Sequence, residues 1–176
     1  MTIQNPPADD GLDTLIGREE VFTAPDEIGH AFIRLFAMAT EDWNPVYHNQ
    51  GVAAQTTHGG IIAPPTLIGE TGHFHQGPVS EGGGFPDRLP LPPILAGGVR
   101  VGNEYEFHQP VKPSDIVTAR IRLVEIRREQ RRSGPLAFVV SLFTYTNQHN
   151  ELLATNYETM LHRIVSAEQG GGHAAP

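Results

Sequence analysis

The chain has 176 residues, 39% hydrophobic and 18% charged, which suits one domain of ordinary globular composition. Its 19 Gly and 15 Pro follow no period, excluding a collagen-like chain, and its formal net charge of −8 argues against a generic surface for phosphate polyanions. Nucleic acid is therefore not an expected partner, and the absence of cysteine removes disulfides and thiolate chemistry, leaving only His and carboxylates as metal ligands.

The opening "MTIQNPPADDGLDTL" carries acids and prolines where a signal peptide needs a basic start and an apolar run. No apolar stretch approaches the roughly 20 residues that span a bilayer, so a cytoplasmic protein without membrane association is expected. Residues 1–13 read as a flexible leader, residues 14–165 as a single domain, and residues 166–176 as a disordered tail ending in "GGGHAAP".

"FTAPDEIGHAFIRLFAMAT" places Ile28, Phe32, Leu35, Phe36 and Ala39 on one face at helical spacing, predicting an amphipathic helix from Pro25 to Ala39. A second helix is expected from Pro64, where Pro64 and Pro65 suit first-turn positions whose N–H groups would lack intrahelical partners. Residues 70–96 are rich in Gly and Pro without a period and read as a long loop or lid.

The last third changes to strand patterns. "VRVGNEYEFHQPV", "DIVTARIRLVEIRRE", "GPLAFVVSLFTYTNQ" and "ELLATNYETMLHRIV" are separated by turn residues at Lys112 to Asp115, Arg132 to Pro135 and Asn147 to Asn150. These runs predict an antiparallel meander. A helical first half and a stranded second half give an α+β fold with one face of the sheet packed on helix.

"EDWNPVYHN" carries the clearest chemical signal. Asn44-Pro45 turns the chain, so Asp42 and His48 fall on a loop, where a carboxylate and an imidazole can hold a water and exchange a proton with it. The plain alternative is that Asp42 closes the turn, Trp43 and Tyr47 pack, and His48 lies on the surface. Arg127, Arg128, Arg131 and Arg132 gather near a hairpin and suit an anionic partner or simply solvent. His73 and His75 lack a third ligand at metal-site spacing and read as loop histidines. Phe85, Leu89, Leu91, Ile94 and Leu95 fit either a cover over an apolar tunnel or packing against a neighbouring subunit.

The order of a helix, "DWNPVYHN", "HGGIIAPPTLIG", a variable loop, "FHQPVKPSD" and closing strands resembles the MaoC-like hydratase and dehydratase family, in particular its N-terminal-type dehydratase domain. The resemblance covers roughly residues 14–163. It implies a hot dog fold, an antiparallel sheet wrapped around a central helix that would start here at Pro64, with two such units paired. It also implies addition or removal of water at the double bond of an acyl thioester, carried on coenzyme A or acyl carrier protein, with no metal or redox cofactor.

The family's catalytic signature is Asp, any residue, Asn, Pro, an aliphatic residue, His. On this chain it falls on Asp42, Asn44, Pro45, Val46 and Tyr47, so a tyrosine stands where the histidine belongs and His48 comes one residue late. The family's His-Gly at the start of the central helix is matched by Ala63-Pro64-Pro65, and proline has no N–H to offer a thioester oxygen. His58 and Gly59, followed by Gly60, form a displaced version. Asp42 and His48 are thus the candidate catalytic residues, and Asn44, Tyr47, His58, Gly59 and Gly60 the candidate substrate-binding ones.

The departures favour a subunit of an enoyl-CoA hydratase or 3-hydroxyacyl-thioester dehydratase, forming the acyl-thioester tunnel beside a catalytic hot dog partner. A self-sufficient homodimeric (R)-specific enoyl-CoA hydratase using Asp42 and His48 is the second expectation. A non-catalytic acyl-thioester-binding or scaffold protein is the third.

Overall fold

A computed structural model describes residues 10–71 and 89–165. The chain runs through β1 (Glu19–Thr23), α1 (Gly29–Ala39), α2 (Gln50–Ala53), β2 (Leu95–Phe107), β3 (Thr118–Arg131), β4 (Gly134–Thr146) and β5 (Leu152–Ile164), with 3-10 turns at Leu12–Leu15, Pro45–Tyr47 and Pro65–Glu70. The five strands form one antiparallel sheet in the order β1-β3-β4-β5-β2. This is the hot dog arrangement of an α+β fold.

The expected meander holds for β3, β4 and β5. Arg131 pairs with Gly134 across a tight turn in which Gly134 adopts φ 118°, a region open to glycine. β2 departs from it, pairing with β5 instead of β3. The segment after β2 crosses the end of the sheet, and the N–H groups of His108 and Gln109 donate to the Leu153 carbonyl (2.9 and 3.2 Å) as it goes. β1, a strand that the sequence patterns above do not predict, closes the other edge against β3.

The inward face of the sheet, with Ile121, Phe143, Tyr145 and Leu153, packs on Ile33, Ala37, Leu67 and Ile68. A second cluster at the other end joins Leu123, Ile126, Ala137 and Val139 to Leu12, Leu89 and Leu95. Leu12 is fully buried and Asp10 is bonded to Arg128, so residues 10–13 are packed where the sequence predicts a flexible leader. Residues 1–9 and 166–176 lie outside the described residues.

Helix α1 begins at Gly29 instead of Pro25. The N–H groups of Ile28 and Gly29 donate to the Asp115 and Pro113 carbonyls (2.9 and 2.7 Å), and Gly29 takes φ 73°, so tertiary bonds to the 112–115 turn set the helix start. That turn is itself closed by Asp115, whose Oδ2 accepts from the Lys112 N–H at 2.7 Å. The buried stripe is also rotated from the predicted one: Phe32, Ile33, Phe36 and Ala37 face the core, while Leu35 and Ala39 are exposed.

After Pro64 the described residues form a 3-10 segment, Pro65–Glu70, that buries Leu67 and Ile68 against the sheet. The lid expected over residues 70–96 is described only at its ends. Leu89 to Ile94 lead directly into β2, which starts at Leu95. Among the described residues, no helix is long and apolar enough to cross a membrane.

Candidate active-site loop and adjoining groove

The loop after α1 is built by short polar side chains that bond their own backbone. Asp42 is tethered by its N–H to the Ala37 carbonyl (2.9 Å), and its Oδ1 accepts from the Asn44 N–H (3.2 Å). Asn44 Oδ1 in turn accepts from the Val46 N–H (3.2 Å), and Asn49 Oδ1 accepts from the Val52 N–H (3.1 Å), capping α2. Such Asx turns outcompete helix locally, which is why "DWNPVYHN" forms a fixed loop between two helices. The Asn44 side-chain oxygen, a candidate substrate contact, holds the loop itself.

Within this loop Tyr47 is buried, at 8% exposure, in the main core, whereas Asp42 and His48 are exposed. Burial, and secondarily the negative charge of Asp42, push the Tyr47 phenol above its ordinary value of 10.0. At neutral pH this side chain is a protonated phenol, a donor and acceptor of hydrogen bonds but not a base. The structure thus brings Asp42 and Tyr47 into electrostatic contact, and His48 does not occupy the buried position that Tyr47 takes. Trp43, read as a packing residue in the plain alternative, is 64% exposed.

Two prolines stand at the start of the Pro65–Glu70 segment. The Ala63 N–H donates to the Val111 carbonyl (2.8 Å), and Pro64 and Pro65 have no N–H. The displaced His58-Gly59 pair is engaged as well: the His58 N–H donates to Thr56 Oγ1 (3.2 Å) and the Gly59 N–H to the Thr56 carbonyl (3.1 Å). Gly60 lies beside the Gln50 side chain.

A groove of about 320 Å³ opens between the 58–68 segment and the end of β2. Its lining includes Ala63, Ile68, Val111, Leu153 and Ala154, all buried, and His58, Pro65, Phe107, His108 and Gln109, all exposed. Of the candidate site residues only His58 lines it. His108 and Phe107 were not singled out from the sequence, although "FHQPVKPSD" contains them. What assembles the groove is the pairing of β2 with β5, which local pattern does not reveal.

The remaining candidates have mostly structural places. Leu89, Leu91, Ile94 and Leu95 pack into the second core cluster. Phe85, His73 and His75 fall outside the described residues. Arg128 is neutralised by Asp10 and Asp13, Arg131 pairs with Glu129, and the Arg127 guanidinium sits 4.7 Å from the centre of the Phe138 ring.

Comparison with known proteins agrees with this architecture. The family model described as "FAS1-like, dehydratase domain region" matches residues 14–156. A probable enoyl-CoA hydratase alpha subunit of Thermomonospora curvata is 29% identical over 139 residues, covering 74% of this chain, and the chain spans 43% of that relative's length. Among solved structures, a MaoC-like dehydratase from Rhodospirillum rubrum is similar with a TM-score of 0.65 and 20% identity over 88% of this chain and 96% of that one. The ChsH1-ChsH2 complex from Mycobacterium tuberculosis is similar with a TM-score of 0.66 and 22% identity over 84% of this chain and 89% of the matched one. At these identities the solved structures establish the fold.

Proposed function

Because this chain belongs to the FAS1-like dehydratase-region family, among the MaoC-like hot dog hydratases and dehydratases, we propose that it is a supporting subunit of an enoyl-thioester hydratase or 3-hydroxyacyl-thioester dehydratase. It contributes acyl-thioester binding surface beside a hot dog partner that carries the proton-transfer residues.

The observation that carries this reading is the buried, protonated Tyr47 at the position of the signature histidine. Hydration of an enoyl thioester needs a base to take a proton from water as its oxygen bonds to C3, a donor for the thioester oxygen as enolate charge develops, and an acid to return a proton to C2. Asp42, exposed on the loop, would serve the first or last step, but the inward position that the signature gives to an imidazole is held here by the Tyr47 phenol. Near Pro64 the Ala63 N–H is spent on Val111 and the two prolines have none, so the backbone at this point supplies fewer donors than the family's His-Gly would.

Two further facts support a partner chain. Leu35 (59% exposed) and Met38 (50% exposed), three apart on α1, present an apolar face near the loop that carries the exposed Trp43. The similar structure from M. tuberculosis is a complex of two named proteins.

The test is hydration of crotonyl-CoA by the purified chain alone and after reconstitution with a hot dog partner bearing the complete signature. The reading expects turnover only from the reconstituted complex, changed less than about threefold by His48→Ala. Turnover by the chain alone that Asp42→Asn and His48→Ala each lower by about a hundredfold, the usual loss for a proton-transfer group, would overturn it.

A further inference from the structure

We infer that the outward face of the sheet is a self-complementary contact surface, on which a second copy of this chain seats with Arg122 of each copy against Glu104 of the other. The inference does not depend on the acyl-thioester reading. The surface lies on the opposite side of the sheet from the core that holds Tyr47.

Strand β4 carries apolar side chains on both of its faces. Ala137, Val139, Phe143 and Tyr145 point inward and are buried, while Leu136, Phe138, Val140 and Leu142 point outward and are half-buried. Antiparallel sheets with one solvated face usually alternate apolar-in with polar-out, and continuous apolar runs belong to strands covered on both sides. Among the described residues, neither core cluster includes any of the four outward side chains. The neighbouring strands extend the patch, since Leu161 on β5 pairs with Phe138 and with the exposed Val99 on β2. Leu136, Phe138 and Leu161 also line one open hollow of about 630 Å³ near the β3–β4 turn.

Charge selects the occupant. Cross-strand pairing aligns Arg122 on β3, Leu142 on β4, Tyr157 on β5 and Glu104 on β2 in one row. Arg122 and Glu104 are both exposed, and neither forms an ion pair among the described residues. Three strand spacings of about 4.8 Å set their backbones roughly 14 Å apart, too far to pair within one chain. The next row repeats the pattern with Arg120 and Glu106, although Arg120 is also bonded to Glu19. A half-turn about an axis parallel to the strands, between β4 and β5, lays β2 of a second copy over β3 and its β4 over β5. Leu142 then meets the other copy's Tyr157 and Arg122 its Glu104, each twice by symmetry. Sheets stack about 10 Å apart, a gap that an extended arginine and glutamate span together. A half-turn about an axis across the strands would instead set Arg122 over Arg122, so the charges choose between the two arrangements. A partner of one charge sign is repelled at one end of each row, and a copy related by the first rotation at neither.

Sedimentation equilibrium of the purified full chain over a wide concentration range tests the inference. At high concentration the Leu142→Glu assembly should have half the mass of the parent's, since this contact is lost while pairing through other surfaces persists. Arg122→Glu and Glu104→Arg should each weaken the contact by about tenfold or more, as juxtaposed like charges do. The double variant exchanges the two charges and should recover most of the parent's association, which a misfolded chain would not do. Circular dichroism checks the fold of each variant. Equal masses for the parent and Leu142→Glu, or single charge variants that associate like the parent, overturn the inference. Single charge variants that keep self-association but lose binding to the hot dog partner used for reconstitution assign the face to that partner and overturn it as well. None of these results bears on the supporting-subunit reading, which crotonyl-CoA turnover decides.

Discussion

Arg128 grips Asp10 with two hydrogen bonds, Nε to Oδ2 at 2.8 Å and Nη2 to Oδ1 at 2.6 Å, fastening the start of the described chain to β3. The paired guanidinium holds the Asp10 carboxyl below its ordinary value of 3.8. Both side chains are mostly shielded from water, so the fork is stronger than a surface ion pair, and it keeps Leu12 seated in the second core cluster. Asp10→Ala should lower stability by about 2 kcal/mol in urea unfolding, within the range for hydrogen bonds to charged groups. The folded-state value lies below the unfolded one, so this contribution is complete above about pH 4 and is lost as pH falls through the folded value. The difference between parent and variant should accordingly shrink on acidification below pH 4; a difference that grew there would contradict the assignment.

Tyr47 provides a second pH-dependent observable. Its phenol is held up by burial first and by Asp42 second. In an ultraviolet titration it should ionise above the ordinary value of 10.0, and Asp42→Asn should bring it only part of the way down. For an acid whose folded value is raised, stability is unaffected below about pH 10 and falls above it, as the unfolded state gains tyrosinate first. Tyr47→Phe should flatten that alkaline loss.

Close packing between Gly69 and Tyr105 makes a third test. A methyl group built on Gly69 would lie 2.6 Å from the Tyr105 hydroxyl, so Gly69→Ala must displace one or the other. The displaced atom is the end of a side chain, so the expected cost is about 1 kcal/mol, at the lower edge of overpacking effects. Tyr105→Phe removes the clashing oxygen. The double variant should be more stable than the sum of the two single changes predicts, and strict additivity would refute the contact.

How much of this was legible in advance follows from the range of each interaction. β3, β4 and β5 were readable because period-two alternation and the Arg132 to Pro135 and Asn147 to Asn150 turns are local signals. The pairing of β2 with β5 was not, since it depends on a crossing segment tied down at Leu153. Helix α1 was found, but its stripe was misphased: Leu35 looks like a core residue by type, and only packing selects Ile33 and Ala37 instead. In the loop, the replacement of the signature histidine by Tyr47 could be read directly. Which of two adjacent side chains turns inward in an irregular segment cannot be read from spacing, and the His58 and His108 groove joins segments some fifty residues apart.

Tyr47→His restores the signature's imidazole at the buried position beside Asp42, and its outcome separates the two deficits proposed for this chain. If proton transfer were the only missing element, the variant should gain about a hundredfold or more in crotonyl-CoA hydration, the usual worth of a placed acid or base. The carbonyl oxygen would still lack the backbone donors of the family's His-Gly position, because Ala63 is bonded to Val111 and Pro64 and Pro65 have no N–H. Loss of one such donor alone commonly costs about a hundredfold or more. The expected result is therefore hydration by Tyr47→His within about tenfold of the parent chain, measured as loss of enoyl absorbance with the fold checked by circular dichroism. A hundredfold gain would show that the backbone near Pro64 is not limiting and that this chain lies one substitution from a complete hydratase.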